Sequence, residues 1–346
     1  MAWPSAAAWA EVVGSLLRLA WRPYRFTLPE ALITAHGALA QRRGWLLRLE
    51  AETGALGWGE ATLLPPETPD PEALAAAIAA LPVSLDRVAL ESLLPSLPLP
   101  LQGALGLALA ELDGLGSEGQ GGWWPPPASA VLLPAGAAML SALERVLASA
   151  EARAPQAPSR LPLTVKWKVA AADPDLEWSL LSALLDRLPA AARLRLDANG
   201  GWDRITAWRW ADRLLDDERL EWLEQPLAPA DGPGLRQLAV RLPVALDESR
   251  RCDPGLARHW PGWLVRRPLL EGDPRPLLQA LTAGQRRWMV STAFETGIGW
   301  RLVGHLAALQ QWGPTPCAPG LAPGWRPPGG LFQADPAAVW EAALWS

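Results

Sequence analysis

The sequence predicts an α/β protein: a closed barrel of parallel strands and helices, preceded by a smaller α+β section. Three observations carry this. Beyond about residue 130, short apolar strands alternate with amphipathic helical segments over connections too short for anything but parallel βαβ units. Seven strands are recognisable and an eighth fits near 315–318, the number that closes a barrel. No G-x-G-x-x-G follows any strand, which counts against a doubly wound dinucleotide fold. A chain of 346 residues accommodates one such barrel with additions.

Taken in order, residues 18–30 and 44–60 read as strands. Leu46-Leu47-Arg48-Leu49, then Thr53-Gly54 and Gly57-Trp58-Gly59, make a strand–turn–strand pattern. His36 falls between them and reads as an ordinary loop histidine. Segments 70–94 and 100–113 carry Ala/Leu-rich helical periodicity. The Gly-rich then Pro-rich stretch 113–129 is the best boundary, dividing an α+β section (1–120) from the barrel (121–320). Strands are expected at 130–133, 163–169, 193–197, 220–224, 243–247, 262–266 and 287–291. Helices are expected at 137–152, 175–188, 203–216, 233–240, 275–283 and 299–312. The last segment, 321–346, is expected to return to the first section.

Composition narrows the function. Half the residues are hydrophobic and 19% are charged, as in a globular protein with a large core. A net charge of −5 gives no reason to expect nucleic acid or an anionic membrane as partner. Cys252 and Cys317 lie far apart without metal-ligand spacing, so a reducing cytoplasm is the expected location. The first 20 residues have no cationic leader and carry Glu11 within their apolar part, unlike a signal peptide. The longest uncharged runs are interrupted by prolines and do not read as membrane spans. The 21 tryptophans are scattered and read as packing.

Chemistry gathers at the strand ends. Successive strands end in Asp197, Glu224 and Asp247, and active sites in parallel barrels form where the C-terminal strand ends open on one face. One acid there would read as the cap of the following helix. Three in a row, flanked by lysines before and Arg267 after, read as a site for a hard cation. Mg²⁺ fits best, or another divalent ion such as Mn²⁺. The only two lysines in a chain with 31 Lys and Arg are Lys166 and Lys168, and the strand period of two sets them on one face. Unlike Arg, Lys can exchange a proton when charge is disfavoured. Like charge and partial burial both push in that direction, so one of the pair is expected to act as a base.

Four segments together resemble the barrel motifs of the enolase superfamily, in its muconate-lactonising branch. They are Thr164-Val165-Lys166-Trp167-Lys168, Leu196-Asp197-Ala198-Asn199-Gly200-Gly201-Trp202, Trp222-Leu223-Glu224-Gln225-Pro226 and Ala245-Leu246-Asp247-Glu248-Ser249. Gly57-Trp58-Gly59-Glu60-Ala61 is similar to the end of that group's capping hairpin, and Ser291-Thr292-Ala293-Phe294-Glu295-Thr296-Gly297-Ile298-Gly299 to its seventh-strand motif. Within the branch the sequence is most similar to the o-succinylbenzoate synthase family. The resemblance implies an enolase-like modified TIM barrel with an N-terminal α+β capping domain. It implies a dehydratase of menaquinone or phylloquinone biosynthesis acting on a small carboxylate through an enediolate. By the same resemblance Asp197, Glu224 and Asp247 bind the metal, Lys168 is base and acid, and Lys166 depresses the pKa of Lys168. Ser291, Thr292 and Gly320 contact substrate, and Asn199 and Gln225 support the metal ligands.

One residue departs from the pattern. The family usually carries lysine in a Lys-Pro context on the sixth strand, where this chain has Val265-Arg266-Arg267-Pro268. Racemases, epimerases and cycloisomerases on this scaffold are the alternative reading, but a racemase needs a proton-exchanging group on each face of the carbon, and Arg is a poor one. A single-base syn dehydration asks only for charge there, or a cation–π contact with the ring.

Overall fold

The structure is a computed structural model in which residues 16–34, 37–64, 70–153 and 161–345 are described. His36 and most of the first 20 residues lie outside them. Strands β1 (Leu16–Thr34), β2 (Gly37–Ala51), β3 (Leu56–Thr62) and β4 (Ser84–Asp86) form an antiparallel sheet in the order β3-β2-β1-β4. Helices α1 (Pro71–Ala79), α2 (Arg87–Leu93) and α3 (Leu99–Leu112) complete this capping layer.

Helix α3 is buried along nearly its whole length, because it lies between the sheet and the barrel. Two glycines of β3 permit the contact. A Cβ at Gly57 would stand 2.0 Å from the Ala108 carbonyl oxygen, and one at Gly59 2.0 Å from that of Ala104. The Gly-Trp-Gly-Glu run is thus a surface planed flat for a helix, with Trp58 and Glu60 facing the other way.

The second sheet is parallel: β5 (Val131–Leu133), β6 (Thr164–Lys168), β7 (Arg193–Asp197), β8 (Leu220–Glu224), β9 (Val244–Leu246), β10 (Trp263–Arg266) and β11 (Trp288–Val290), in that order. Between them run α4 (Ala138–Arg153), α5 (Pro174–Arg187), α6 (Arg204–Leu214), α7 (Gly232–Arg241), α8 (Glu248–Cys252), α9 (Pro254–Arg258) and α10 (Arg275–Thr282), followed by α11 (Gly297–Trp312). Asp173, Asp203 and Asp231 cap α5, α6 and α7 with their side chains, which is why these helices start where they do. Outward-facing side chains such as Val165, Trp167, Leu194 and Leu196 pack under the helices. A small inner cluster of Trp222, Ala245, Val265, Met289 and Cys317 fills the barrel.

The eighth strand falls later than expected and is only a bridge. Ser291 pairs with Gly320, the Ala130 N–H donates to the Pro319 carbonyl, and the Gly320 N–H donates to that of Val290. The prolines at 314, 316 and 319 remove the donors a regular ladder would need. The chain then crosses back to the cap, where α12 (Pro336–Ala342) sets Trp340 edge-on to Trp58 and Arg22 donates to the Trp340 carbonyl at 2.7 Å.

His305, on α11, is wedged between Trp123 and Trp124, and its Nδ1 accepts the Trp124 N–H at 3.2 Å. Burial pushes the imidazole down to about 4. A depressed histidine stabilises the fold above its unfolded pKa of about 6.5, and that contribution is lost as pH falls from there through about 4. His305→Phe is expected to flatten the fall in thermal stability between pH 7 and pH 4 by about 2 kcal/mol, a figure discounted for partial solvent screening. Calorimetry on both proteins checks this.

Candidate active site

The strand register assembles the site. Lys168 pairs with Asp197 across β6–β7, and Asp197 pairs with Glu224 across β7–β8, so the three lie in one transverse row at the C-terminal strand ends. Lys166 lies two residues below on the same face as Lys168, while Trp167 between them is fully buried under the helices against Trp210. Asp247 follows β9 and Arg267 follows β10, extending the arc.

Lys166 Nζ stands 2.8 Å from Asp197 Oδ2 and 2.6 Å from Glu224 Oε1. Lys168 Nζ lies 3.3 Å from Asp197 Oδ2 and 2.5 Å from Asn199 Oδ1. Arg267 grips Asp247 at 2.6 Å with Nη2 and donates from Nη1 to the Thr292 carbonyl at 2.6 Å. None of the three acids caps a helix. Asp203 and Asp231 perform that task for α6 and α7. Asp247 occupies the cap position of α8, but its side chain makes no cap hydrogen bond and faces Arg267.

The electrostatics follow from burial working against pairing. Burial alone would raise Asp197, but Lys166 and Lys168 hold it below the usual range. Asp247 is likewise opposed by burial and held low by Arg267 and Arg251. Glu224 is raised, first by burial, against the pull of Lys166, with the Asp197 and Asp247 charges adding to the effect. Lys166 meets opposite charge on two sides. Burial does push it down, but contact with Asp197 and Glu224 outweighs that and raises it, so Lys166 is firmly cationic.

The expected supporting residues sit where they orient the row. Asn199 bridges Lys168 and Glu248, donating to Glu248 Oε1 at 3.1 Å. Gln225 accepts the Asp247 and Ser249 N–H groups at 3.3 and 3.0 Å and donates to Ser249 Oγ at 2.6 Å, fixing the turn that carries Asp247. Both adopt positive φ, 46° and 38°, as the turns leaving β7 and β8 require. Ser291, Thr292 and Gly320 come together, but on one another: Ser291 Oγ donates to the Gly320 carbonyl, and Thr292 Oγ1 donates to Glu295 Oε2 at 2.5 Å.

Four charged residues at or near the site escaped the sequence reading. Glu248 is buried beside the row, and its pKa is raised to about 8 by burial and then by Asp247 and Asp197. It directly follows Asp247 in the Ala245-Leu246-Asp247-Glu248-Ser249 segment, and the adjacent acid is the signal that could have found it. Glu60 accepts from Tyr24 Oη at 2.6 Å, Thr296 Oγ1 at 2.6 Å, and the Thr296 and Gly299 N–H groups at 3.0 Å each. Arg42 donates to Thr62 Oγ1 at 2.7 Å and across to the Ala293 carbonyl at 2.6 Å. Glu295 is fully buried and anchored on Thr292 and the Ala293 N–H. Glu60 and Arg42 lie on cap strands, so only the fold brings them to the barrel.

Comparison with known proteins now adds to this geometry. Residues 150–256 match the family model described as enolase C-terminal domain-like. The chain is 36% identical over 311 residues to an o-succinylbenzoate synthase of Thermosynechococcus vestitus, covering 86% of this chain and 90% of that protein. The chain belongs to the enolase superfamily, within its o-succinylbenzoate synthase family. A crystal structure of the Thermosynechococcus elongatus o-succinylbenzoate synthase, complexed with Mg in its active site, superposes with a TM-score of 0.77 at 32% identity, covering 95% of this chain and 99% of that one. The L-Ala-D/L-Glu epimerase of Bacillus subtilis shares the fold at a TM-score of 0.69 and 20% identity, over 89% of this chain and 90% of that one. The (β/α) barrel with an antiparallel cap is thus the enolase-superfamily fold. Among the described residues, no helix is long and apolar enough to cross a membrane.

Proposed function

We propose that the protein is a Mg²⁺-dependent o-succinylbenzoate synthase. It removes water from 2-succinyl-6-hydroxy-2,4-cyclohexadiene-1-carboxylate to give 2-succinylbenzoate, a step toward menaquinone or phylloquinone. The observation that carries this reading is the single row of Lys168, Asp197 and Glu224, in a chain 36% identical to a synthase over most of both lengths. In this reading residues 1–120 cap the site, 121–320 carry it, and 321–346 return to the cap.

The donor set fits a divalent cation. Asp197, Glu224 and Asp247 offer hard carboxylate oxygens and are buried, and burial, with the Asp197 and Asp247 charges adding to it, raises Glu224. As placed here, no three His, Cys, Asp or Glu side chains among the described residues enclose an ion position, because Asp197 and Glu224 turn to Lys166 and Asp247 turns to Arg267. When bound, the cation neutralises charge developing on the substrate carboxylate.

The rest of the chemistry belongs to the chain. Lys168 Nζ takes the proton from the carbon bearing the carboxylate. The electron pair left behind forms the new ring double bond as the neighbouring C–O bond breaks. The same proton leaves with the hydroxyl as water, so one lysine on one face serves as base and then acid. Asn199 fixes the approach of Lys168. Arg267, pushed above its ordinary value by Asp247 against the opposing effect of burial, stays cationic and supplies charge without exchanging a proton. That property separates this site from one that inverts a stereocentre, which needs a second proton-exchanging group.

The test is direct. Purified protein, Mg²⁺ and the diene substrate are expected to lose the cyclohexadiene absorbance. EDTA should stop the reaction and added Mg²⁺ restore it. Indifference to EDTA, or deuterium entering an N-acyl amino acid with inversion in D₂O, would sink the reading.

A further inference from the structure

We propose that a cleft on the outer flank of the barrel, along β10, binds a phosphorylated small molecule through Arg258 and Arg286. The cleft has a volume of about 750 Å³ and is lined by Arg250, Arg258, Arg266, Arg286 and Arg287 with Trp260 and Trp288. Gly262 and Arg287 immediately precede β10 and β11, whereas Arg266 ends β10 and Arg250 follows β9, so the cleft runs the length of β10 on the face turned away from the Val265 side chain and the barrel interior. The row of Lys168, Asp197 and Glu224 closes the C-terminal end.

The five guanidinia are not equivalent. Arg250 and Arg266 share the Glu271 carboxylate at 2.8 and 2.6 Å, and Arg266 lies 3.8 Å over the Trp288 ring. Arg287 donates to the Pro261 carbonyl, and its N–H donates to Thr315 Oγ1 at 2.7 Å. Its backbone holds a φ of 57°, a region costly for a non-glycine residue, and these two bonds secure it there. These three arginines form a fixed floor and rim.

The guanidinium groups of Arg258 and Arg286 make no hydrogen bond, ion pair or ring contact among the described residues, and both residues are exposed at the cleft. Among the described residues, Glu271 is the one carboxylate in ion-pair contact with these five cations, on a chain whose net charge is −5. Guanidinium forks match the oxygens of phosphate in pairs, which an ammonium cannot do. A cleft of this volume is of the size that takes a nucleotide-sized molecule rather than a lone ion. The shared chemistry is a polyphosphate group, supplied either by inorganic pyrophosphate or by a nucleoside diphosphate.

Isothermal titration of the full chain with pyrophosphate and with ADP, in magnesium-free buffer, tests this against the double variant Arg258→Ala/Arg286→Ala. The wild-type chain is expected to bind at least one of them, more weakly as salt is raised, with the double variant weaker by about tenfold or more. Tighter binding of ADP than of pyrophosphate identifies a nucleotide site, and equal binding a site for the phosphates alone. Turnover of the diene substrate should be unchanged in the variant. Equal affinity in both proteins, which would place the anion at other cations, or no binding by the wild type at millimolar concentration, overturns the proposal. Neither result bears on the dehydratase reading.

Discussion

Lys168→Ala is expected to lower kcat by on the order of 10³–10⁴-fold, the scale of a lost general acid–base group that serves both halves of a reaction. Lys168→Arg should be nearly as inactive, because a guanidinium keeps the charge but does not release its proton. Both variants should fold, since Lys168 is only half-buried and its neighbours Asp197 and Asn199 keep other partners. Mg²⁺ binding measured by calorimetry should persist in both. Stopped assays with the diene substrate read the loss, and a variant within tenfold of wild type would remove Lys168 from the chemistry. Lys166→Ala differs in kind. It leaves Glu224 and Asp197 without their closest cation and should disturb metal affinity as well as rate.

Glu60→Ala is expected to be the most damaging single change to stability, by about 3–5 kcal/mol. The Glu60 carboxylate is fully buried and gathers two hydroxyls and two backbone N–H groups, one hydroxyl from the cap and the rest from the start of α11. Truncation leaves four donors without their shared acceptor in a space closed to water. Urea unfolding followed by tryptophan fluorescence checks the magnitude. A midpoint unchanged from wild type would show that the cap is held mainly by apolar contact instead.

Much of this was legible in the sequence for a physical reason. Buried parallel strands must be short apolar runs, and helices on their outer side must be amphipathic, so the alternation of the two betrays the barrel. The lysine pair and the strand-end acids were legible because period-two geometry and parallel register carry them to one face. The eighth strand was misplaced because 314–321 has neither alternation nor a full set of donors. The carboxylate partners of Lys166 were illegible because the sequence gives its neighbours along one strand, whereas Asp197 and Glu224 come from β7 and β8. Arg42 and Glu60 were illegible as bridging residues because their barrel partners lie 251 and 236 residues away.

The return of the last helix to the first sheet has a consequence for biosynthesis. Arg22 meets the Trp340 carbonyl across 318 residues, so the earliest described strand waits for that much more chain before it finds this neighbour. While the ribosome is still at work, the face holding Trp58 has no Trp340 to cover it. Contacts of such sequence separation slow folding and leave apolar surface open in the interval. Until α12 has been made, that face stays open to wrong contacts. Deleting α12 should harm yield more than it harms the chemistry of molecules that do fold.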